Sequence, residues 1–88
     1  MGCWTRVPDT HSLNGRVSRA ALSVAECQDA CWDHADCEGV DWNPSHDAGS
    51  QCYLIGPWTT IKQNFRPGIT QYLLDRTTDC GASQLRNM

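Results

Sequence analysis

Hydrophobic and polar positions alternate in short stretches along most of this chain and fall at helical spacing in one. Val24, Cys27, Ala30, Cys31 and His34 recur at the three- and four-residue intervals of a single helix face. That spacing predicts a helix from about Val24 to His34. Ser23 and Glu26 stand as an S-x-x-E capping box, in which the serine caps free backbone N–H groups and the glutamate reaches back. Leu22 before the cap and Cys27 four residues after it occupy the positions of a hydrophobic staple. Cys27 and Cys31 therefore point inward one turn apart, and His34 on the same face reads as a packed, hydrogen-bonded histidine. Asp36-Cys37-Glu38-Gly39 turns the chain out of the helix.

The remaining stretches read as strands and turns. Cys3–Val7 is a short strand ended by Pro8-Asp9. Leu13-Asn14-Gly15-Arg16-Val17 carries an Asn-Gly turn signal near a strand edge. Val40-Asp41-Trp42 alternates as a half-buried strand does, and Cys52–Ile55 is a second strand stopped by Gly56-Pro57. The NPSHDAGSQ run between them is a loop by composition, so the two strands predict a hairpin with a long polar tip. Trp58–Ile61 is compatible with a strand, and Asn64–Gly68 reads as a turn around Pro67. Gly68–Arg76 is the longest strand candidate, with Cys80 just beyond it. Residues 1–80 are read as a single domain and residues 81–88 as a disordered tail.

Composition changes the picture through sulfur. Six cysteines in 88 residues suggest a disulfide framework formed in an oxidising compartment, which suits a chain too short to bury a large core. A zinc site would call for paired C-x2-C spacing or a histidine pair, whereas the run here is C-x3-C-x5-C. Met1-Gly2 leads straight into Cys3 with no signal-peptide pattern. The expectation is a domain of a longer secreted or membrane-anchored protein. No apolar run is long enough to span a bilayer, which argues against membrane insertion.

The net charge of −3 hides an asymmetry. Between Arg19 and Lys62 there is no lysine or arginine, while Glu26, Asp29, Asp33, Asp36, Glu38, Asp41 and Asp47 all fall there. The flanks hold every basic residue and three acids, Asp9, Asp75 and Asp79. An acidic middle argues against a nucleic-acid site on that part of the surface. Its first reading is a solvated acidic face, and its second is a site for a basic partner.

The helix with its C-x3-C-x5-C cysteines, the "GVDWN" strand, the "CYL" strand and an outer cysteine near each end resemble the PAN/apple domain family. Cys3 and Cys80 match its six-cysteine apple form; a MANSC-type domain is a related variant, but the adjacent cysteines expected there are missing. The resemblance covers nearly the whole chain, from Cys3 to Cys80. It implies an α+β fold in which an antiparallel sheet of about five strands cradles one helix, with the termini adjacent. Spacing alone leaves fifteen pairings of six cysteines open. The resemblance implies Cys3–Cys80, Cys27–Cys52 and Cys31–Cys37.

Nothing in the sequence composes an active site. Ser, His and Asp are present, but no nucleophile motif surrounds a serine, and the cysteines are better explained as disulfides than as thiolate nucleophiles. His34 with Asp33 and Asp36, or His46 with Asp47, lack calcium-loop spacing and the acids read as surface groups, so no metal and no cofactor is expected. The four tryptophans are the binding candidates, since amphipathic aromatics dominate interface hot spots and sugar-stacking platforms. Trp4 and Trp42 lie in strands and are assigned to the core. Trp32 points about 140° away from Cys27 on the helix, beside Ala25, Gln28 and Asp29, and either covers the helix end or binds a ligand. Trp58, with Lys62 and Arg66 downstream, either lids the sheet or forms a second patch.

The candidate surface is thus Trp32, Gln28, Asp29, Trp58, Lys62 and Arg66. The leading expectation is a non-enzymatic extracellular module that binds a protein partner, in a setting such as cell adhesion. A carbohydrate-binding module, which the resemblance also allows, and a structural spacer are the alternatives.

Overall fold

Ser23 opens the helix as its capping box predicts. In the computed structural model, which describes residues 2–77, Ser23 Oγ accepts a hydrogen bond from the Glu26 amide at 3.1 Å. Glu26 Oε1 in turn accepts from the Leu22 amide at 2.7 Å. The helix, α1, runs Val24–Asp33 and buries Cys27 and Cys31 on its inner face. It stops one residue short of the predicted end. His34 is extended, with φ −102° and ψ 111°, and this corrects the expectation of a packed histidine: its side chain is exposed. The imidazole is still bonded, accepting from the Asp36 amide at 3.3 Å, and it lies edge-on to the Trp58 ring at 5.3 Å.

No glycine caps α1; the His34 amide closes it locally, donating to the Cys31 carbonyl at 3.1 Å. The Arg76 guanidinium adds to this from a distant part of the chain, donating to the carbonyls of Cys31 at 2.9 Å, Trp32 at 3.2 Å, His34 at 2.7 Å and Cys37 at 3.3 Å.

Seven strands accompany the helix: β1 Cys3–Val7, β2 Thr10–Leu13, β3 Arg16–Val17, β4 Gly39–Trp42, β5 Cys52–Ile55, β6 Ile61–Phe65 and β7 Thr70–Asp75. Five form one antiparallel sheet in the order β1-β7-β4-β5-β3. The α+β fold, with its five-stranded antiparallel sheet and one helix, is as the resemblance implies. The β4–β5 hairpin pairs Val40 with Leu54 and Trp42 with Cys52. Side chains on a strand point alternately to opposite faces. Val40, Leu54 and Cys52 meet Cys27, Cys31, Cys37 and Ala21 in the core, and Trp4, Trp42, Trp58, Tyr72 and Leu74 pack around them. Trp4 and Trp42 thus pack against the core as assigned.

A second sheet, β2–β6, has no counterpart in the sequence reading. Its strands bond antiparallel with Thr10 opposite Phe65 and Leu13 opposite Ile61. Two expectations are corrected here. Trp58-Thr59-Thr60 is a turn rather than a strand, and the strand that follows runs through Phe65 into the stretch read as a turn. The Asn-Gly signal does mark a turn, with Asn14 at φ 67°, but it carries the chain from one sheet to the other instead of closing a hairpin. Asn14 Nδ2 secures that crossing by donating to Thr60 Oγ1 at 2.8 Å.

The two disulfides Cys27–Cys52 and Cys31–Cys37 are present as the resemblance implies. Closing the 25-residue separation of the first contributes about 3.5 kcal/mol by chain-entropy reasoning, and the 6-residue separation of the second about 2.2 kcal/mol. Of the expected Cys3–Cys80 pair, Cys80 lies outside the described residues, as does the 81–88 tail. Among the described residues no cysteine is free.

Candidate functional site

The central strand presents one acid to the face that the helix does not cover. Val40 of β4 is in the core, so Asp41 between Val40 and Trp42 points the other way, flanked in register by Tyr53 of β5 and Gln71 of β7. Alternation alone would leave this residue in water. The β2–β6 ribbon lies over it instead, and Asp41 is only 3% exposed and Gln71 fully buried.

Every polar atom of this pair is satisfied, as burial requires. The Ser12 amide and the Ser12 hydroxyl both donate to Asp41 Oδ2 at 2.6 Å. Gln71 Nε2 donates to Asp41 Oδ1 at 3.1 Å and to the Lys62 carbonyl at 2.8 Å. Gln71 Oε1 accepts from Gln63 Nε2 at 3.0 Å. The network therefore joins β2, β4, β6 and β7 around one carboxylate. Its donors are all neutral.

Beside the carboxylate a cleft of about 280 Å³ opens between β2 and the hairpin loop. Asp41 and Ser12 sit among Leu13, Ile69 and Tyr53, with His11, Asn14, Asn43 and His46 completing the lining. The loop holds its shape through its own polar side chains. Asn43 Oδ1 accepts from the Ser45 amide at 3.0 Å, an Asx turn, and the Asn43 amide donates to the Gln51 carbonyl at 2.9 Å. His46 folds back on the loop, its Nδ1 lying 3.1 Å from the Ser50 carbonyl oxygen and 3.3 Å from the Tyr53 hydroxyl. The crossing into β3 is close: a Cβ on Gly15 would stand 3.1 Å from Tyr53 Cβ and 3.3 Å from the Leu54 carbonyl.

Ser12, His11 and Asp41 share this cleft without forming a catalytic relay. The Ser12 hydroxyl bonds the carboxylate directly, and His11 Nε2 lies 3.4 Å from Asn64 Nδ2, so no nucleophile is paired with an imidazole base. Among the described residues there is no group of three or more His, Cys, Asp or Glu placed to hold a metal ion.

The residues singled out from sequence fall elsewhere. Trp32 is half-buried, with the Arg76 guanidinium 5.0 Å from its ring centroid. Gln28 is half-buried and Asp29 exposed on the same helix. Trp58 is half-buried against the core, donates from Nε1 to the Leu54 carbonyl at 3.0 Å, and carries the Arg16 guanidinium 4.1 Å above its ring. Its indole lies so close over Gly56 that a Cβ there would stand 2.4 Å from it. Lys62 reaches the same spot, donating to the Gly56 carbonyl at 2.7 Å and to Glu38 Oε1 at 2.9 Å. Arg66 is exposed beyond the end of β6. Trp58 and Lys62 therefore meet around Gly56, while each of the two tryptophans already has an arginine over its ring.

The cleft residues were not singled out together by sequence because they come from four separate stretches. The one available signal was a charged residue at the middle of the central strand.

No curated protein and no solved structure matches the chain. A family model described as PAN domain matches residues 3–81. With its helix, five-stranded antiparallel sheet and helix-anchoring disulfides in place, this chain belongs to the PAN-domain family.

Proposed function

We propose that this domain is a non-enzymatic binding module of an extracellular protein and that it engages a protein partner. PAN domains bind proteins or carbohydrates, and the choice between them rests on the cleft beside Asp41. At about 280 Å³ the cleft falls just below the size of sites that enclose drug-sized ligands, roughly 300–1,000 Å³, and suits one side chain of a larger partner. The adjoining ribbon adds contact surface. All five residues of β6 are exposed, including Ile61 at 47% and Phe65 at 75%. Exposed apolar side chains beside a cleft are what a protein interface covers. Of the residues chosen from sequence, Arg66 lies exposed beyond the end of β6, at the edge of this surface. Gln28 and Asp29 lie on the helix, across the sheet from the cleft, and Trp32, Trp58 and Lys62 are held by intramolecular partners and support the scaffold.

The extracellular assignment rests on the disulfides, which persist in oxidising compartments. Among the described residues no helix is long and apolar enough to cross a membrane. A carbohydrate reading has one observation in its favour, the ring of hydroxyl-binding groups Asn14, Asn43, His46 and Tyr53 around an acid. The experiment that separates the two displays the oxidised chain on matched arrays of extracellular proteins and of glycans. Protein signals that Tyr53→Leu abolishes, with the glycan array blank, are the expected result. Glycan signals alone would overturn the protein reading.

A further inference from the structure

We propose that the cleft beside Asp41 is a receptor for a basic side chain, a lysine or arginine that the partner inserts; this rests on the protein-binding reading above. The argument starts from the carboxylate. Asp41 accepts three hydrogen bonds, two of them from groups that can only donate, the Ser12 amide and the Gln71 amide nitrogen, which is the pattern of an ionised acid. All three donors are neutral and, among the described residues, no basic side chain bonds it, although a buried charge ordinarily requires a counter-charge.

The basic residues near in sequence are turned to other tasks. Arg16 lies over Trp58, Arg19 donates to Ser50 Oγ at 3.4 Å, and Lys62 is bound to Glu38 and the Gly56 carbonyl. Among the described residues the cleft lining contains no lysine and no arginine. Its two histidines are otherwise engaged, His46 with Ser50 and Tyr53 and His11 with Asn64.

The walls fit the stem of such a side chain as the floor fits its head. Leu13 and Ile69 offer apolar surface, and the Tyr53 ring offers a face for methylenes or a guanidinium. Lysine and arginine pair an apolar stem with a cationic tip, and the cleft pairs apolar walls with an anionic floor. The segment from Arg19 to Lys62, which supplies the floor and the loop wall, carries seven acids and no lysine or arginine between those two residues, and of the seven Asp41 is the one in the lining. A neutral sugar would leave the Asp41 charge as it is, whereas a cation compensates it. That difference decides between the two ligands.

The test is a titration of the full 88-residue oxidised chain, followed by amide chemical shifts. The probes are Nα-acetyl-lysine amide, Nα-acetyl-arginine amide, uncharged Nα-acetyl-norleucine amide and a set of methyl glycosides. A basic probe should shift the amides of Ser12, Asn14, Gly15 and Tyr53 saturably, and norleucine amide should not. Asp41→Asn should weaken binding at least about tenfold, and about 1 M salt should weaken it in the parent. Because the side-chain amide introduced by Asp41→Asn would meet the Gln71 amide or the Ser12 donors with a donor of its own, Tyr53→Leu provides a second variant, with loss of binding expected at an unchanged fold.

Equal shifts by norleucine amide, shifts confined to residues outside the cleft, or binding that survives both variants would each overturn the proposal. So would saturation by a glycoside with no response to the basic probes. Silence of the basic probes while the chain still binds proteins on the array would defeat the cleft assignment and leave the protein-binding reading standing. Glycan binding alone on the array would defeat both.

Discussion

The two faces of the five-stranded sheet are closed by different chemistry. Toward the helix, Val40, Leu54 and four half-cystines pack with tryptophans and Tyr72, and both described disulfides lie there. Toward the β2–β6 ribbon, the same strands present Asp41 and Gln71, and a hydrogen-bonded carboxylate replaces the apolar contacts. The first face is non-directional and gains from burial alone. The second gains only if each donor meets its acceptor, so it fixes geometry where the first fixes stability. The proposed binding cleft lies on the second face, where Asp41 and Ser12 are held at set positions by hydrogen bonds.

The comparison can be broken most severely on the helix face. Cys27→Ala combined with Cys52→Ala removes the tie between α1 and β5 and should cost about 2–5 kcal/mol, read as a large fall in melting temperature. A double variant that melts like the parent would show that packing alone closes this face.

Next come two truncations, one on each face. Leu54→Ala opens a cavity in the core and should cost about 2–4 kcal/mol. Gln71→Leu keeps the volume but leaves Asp41 Oδ1, the Lys62 carbonyl and the Gln63 amide without their partner, and should cost about 1–3 kcal/mol. Leu54→Ala should leave the Ser12 amide shift near its parent value, whereas Gln71→Leu should move it, because Gln71 and Ser12 bond the same carboxylate. Amide spectra of the two variants check this. The smallest effect is expected at Arg76→Ala, which frees carbonyls at the end of α1 and should cost about 1–2 kcal/mol by thermal melt.

The helix face was legible in the sequence and the ribbon face was not, for a physical reason. α1 announces itself locally: the capping box and the recurrence of Cys27 and Cys31 lie within a dozen residues, although Leu22, read as half of a staple, is 60% exposed. The β4–β5 hairpin is legible through strict alternation and Gly56-Pro57. In β6, Ile61-Lys62-Gln63-Asn64-Phe65 is exposed at every position, so no contrast between faces marks it as a strand. Its partner β2 lies about fifty residues away, and the Asn14–Thr60 bond that helps hold the two together spans 46. Alternation did place Asp41 on the face opposite Val40. Nothing local could say that another pair of strands would cover it. His34 failed for the opposite reason: the periodicity continued one residue further than the backbone did.

Arg76 carries a consequence for the order of events when the chain folds. The Cys31 carbonyl is capped locally by the His34 amide, but the Trp32 and Cys37 carbonyls at the close of α1 are met by a side chain 39 to 44 residues later. The first turn of the helix is completed by its own serine and can form early. The last turn has its local His34 cap as well, and gains its remaining partners when β7 has joined the sheet, because loop closure over that distance must come first. During synthesis the helix therefore emerges with a local cap at each end, and the arrival of residue 76 adds the long-range clamp on a helix that began at residue 24.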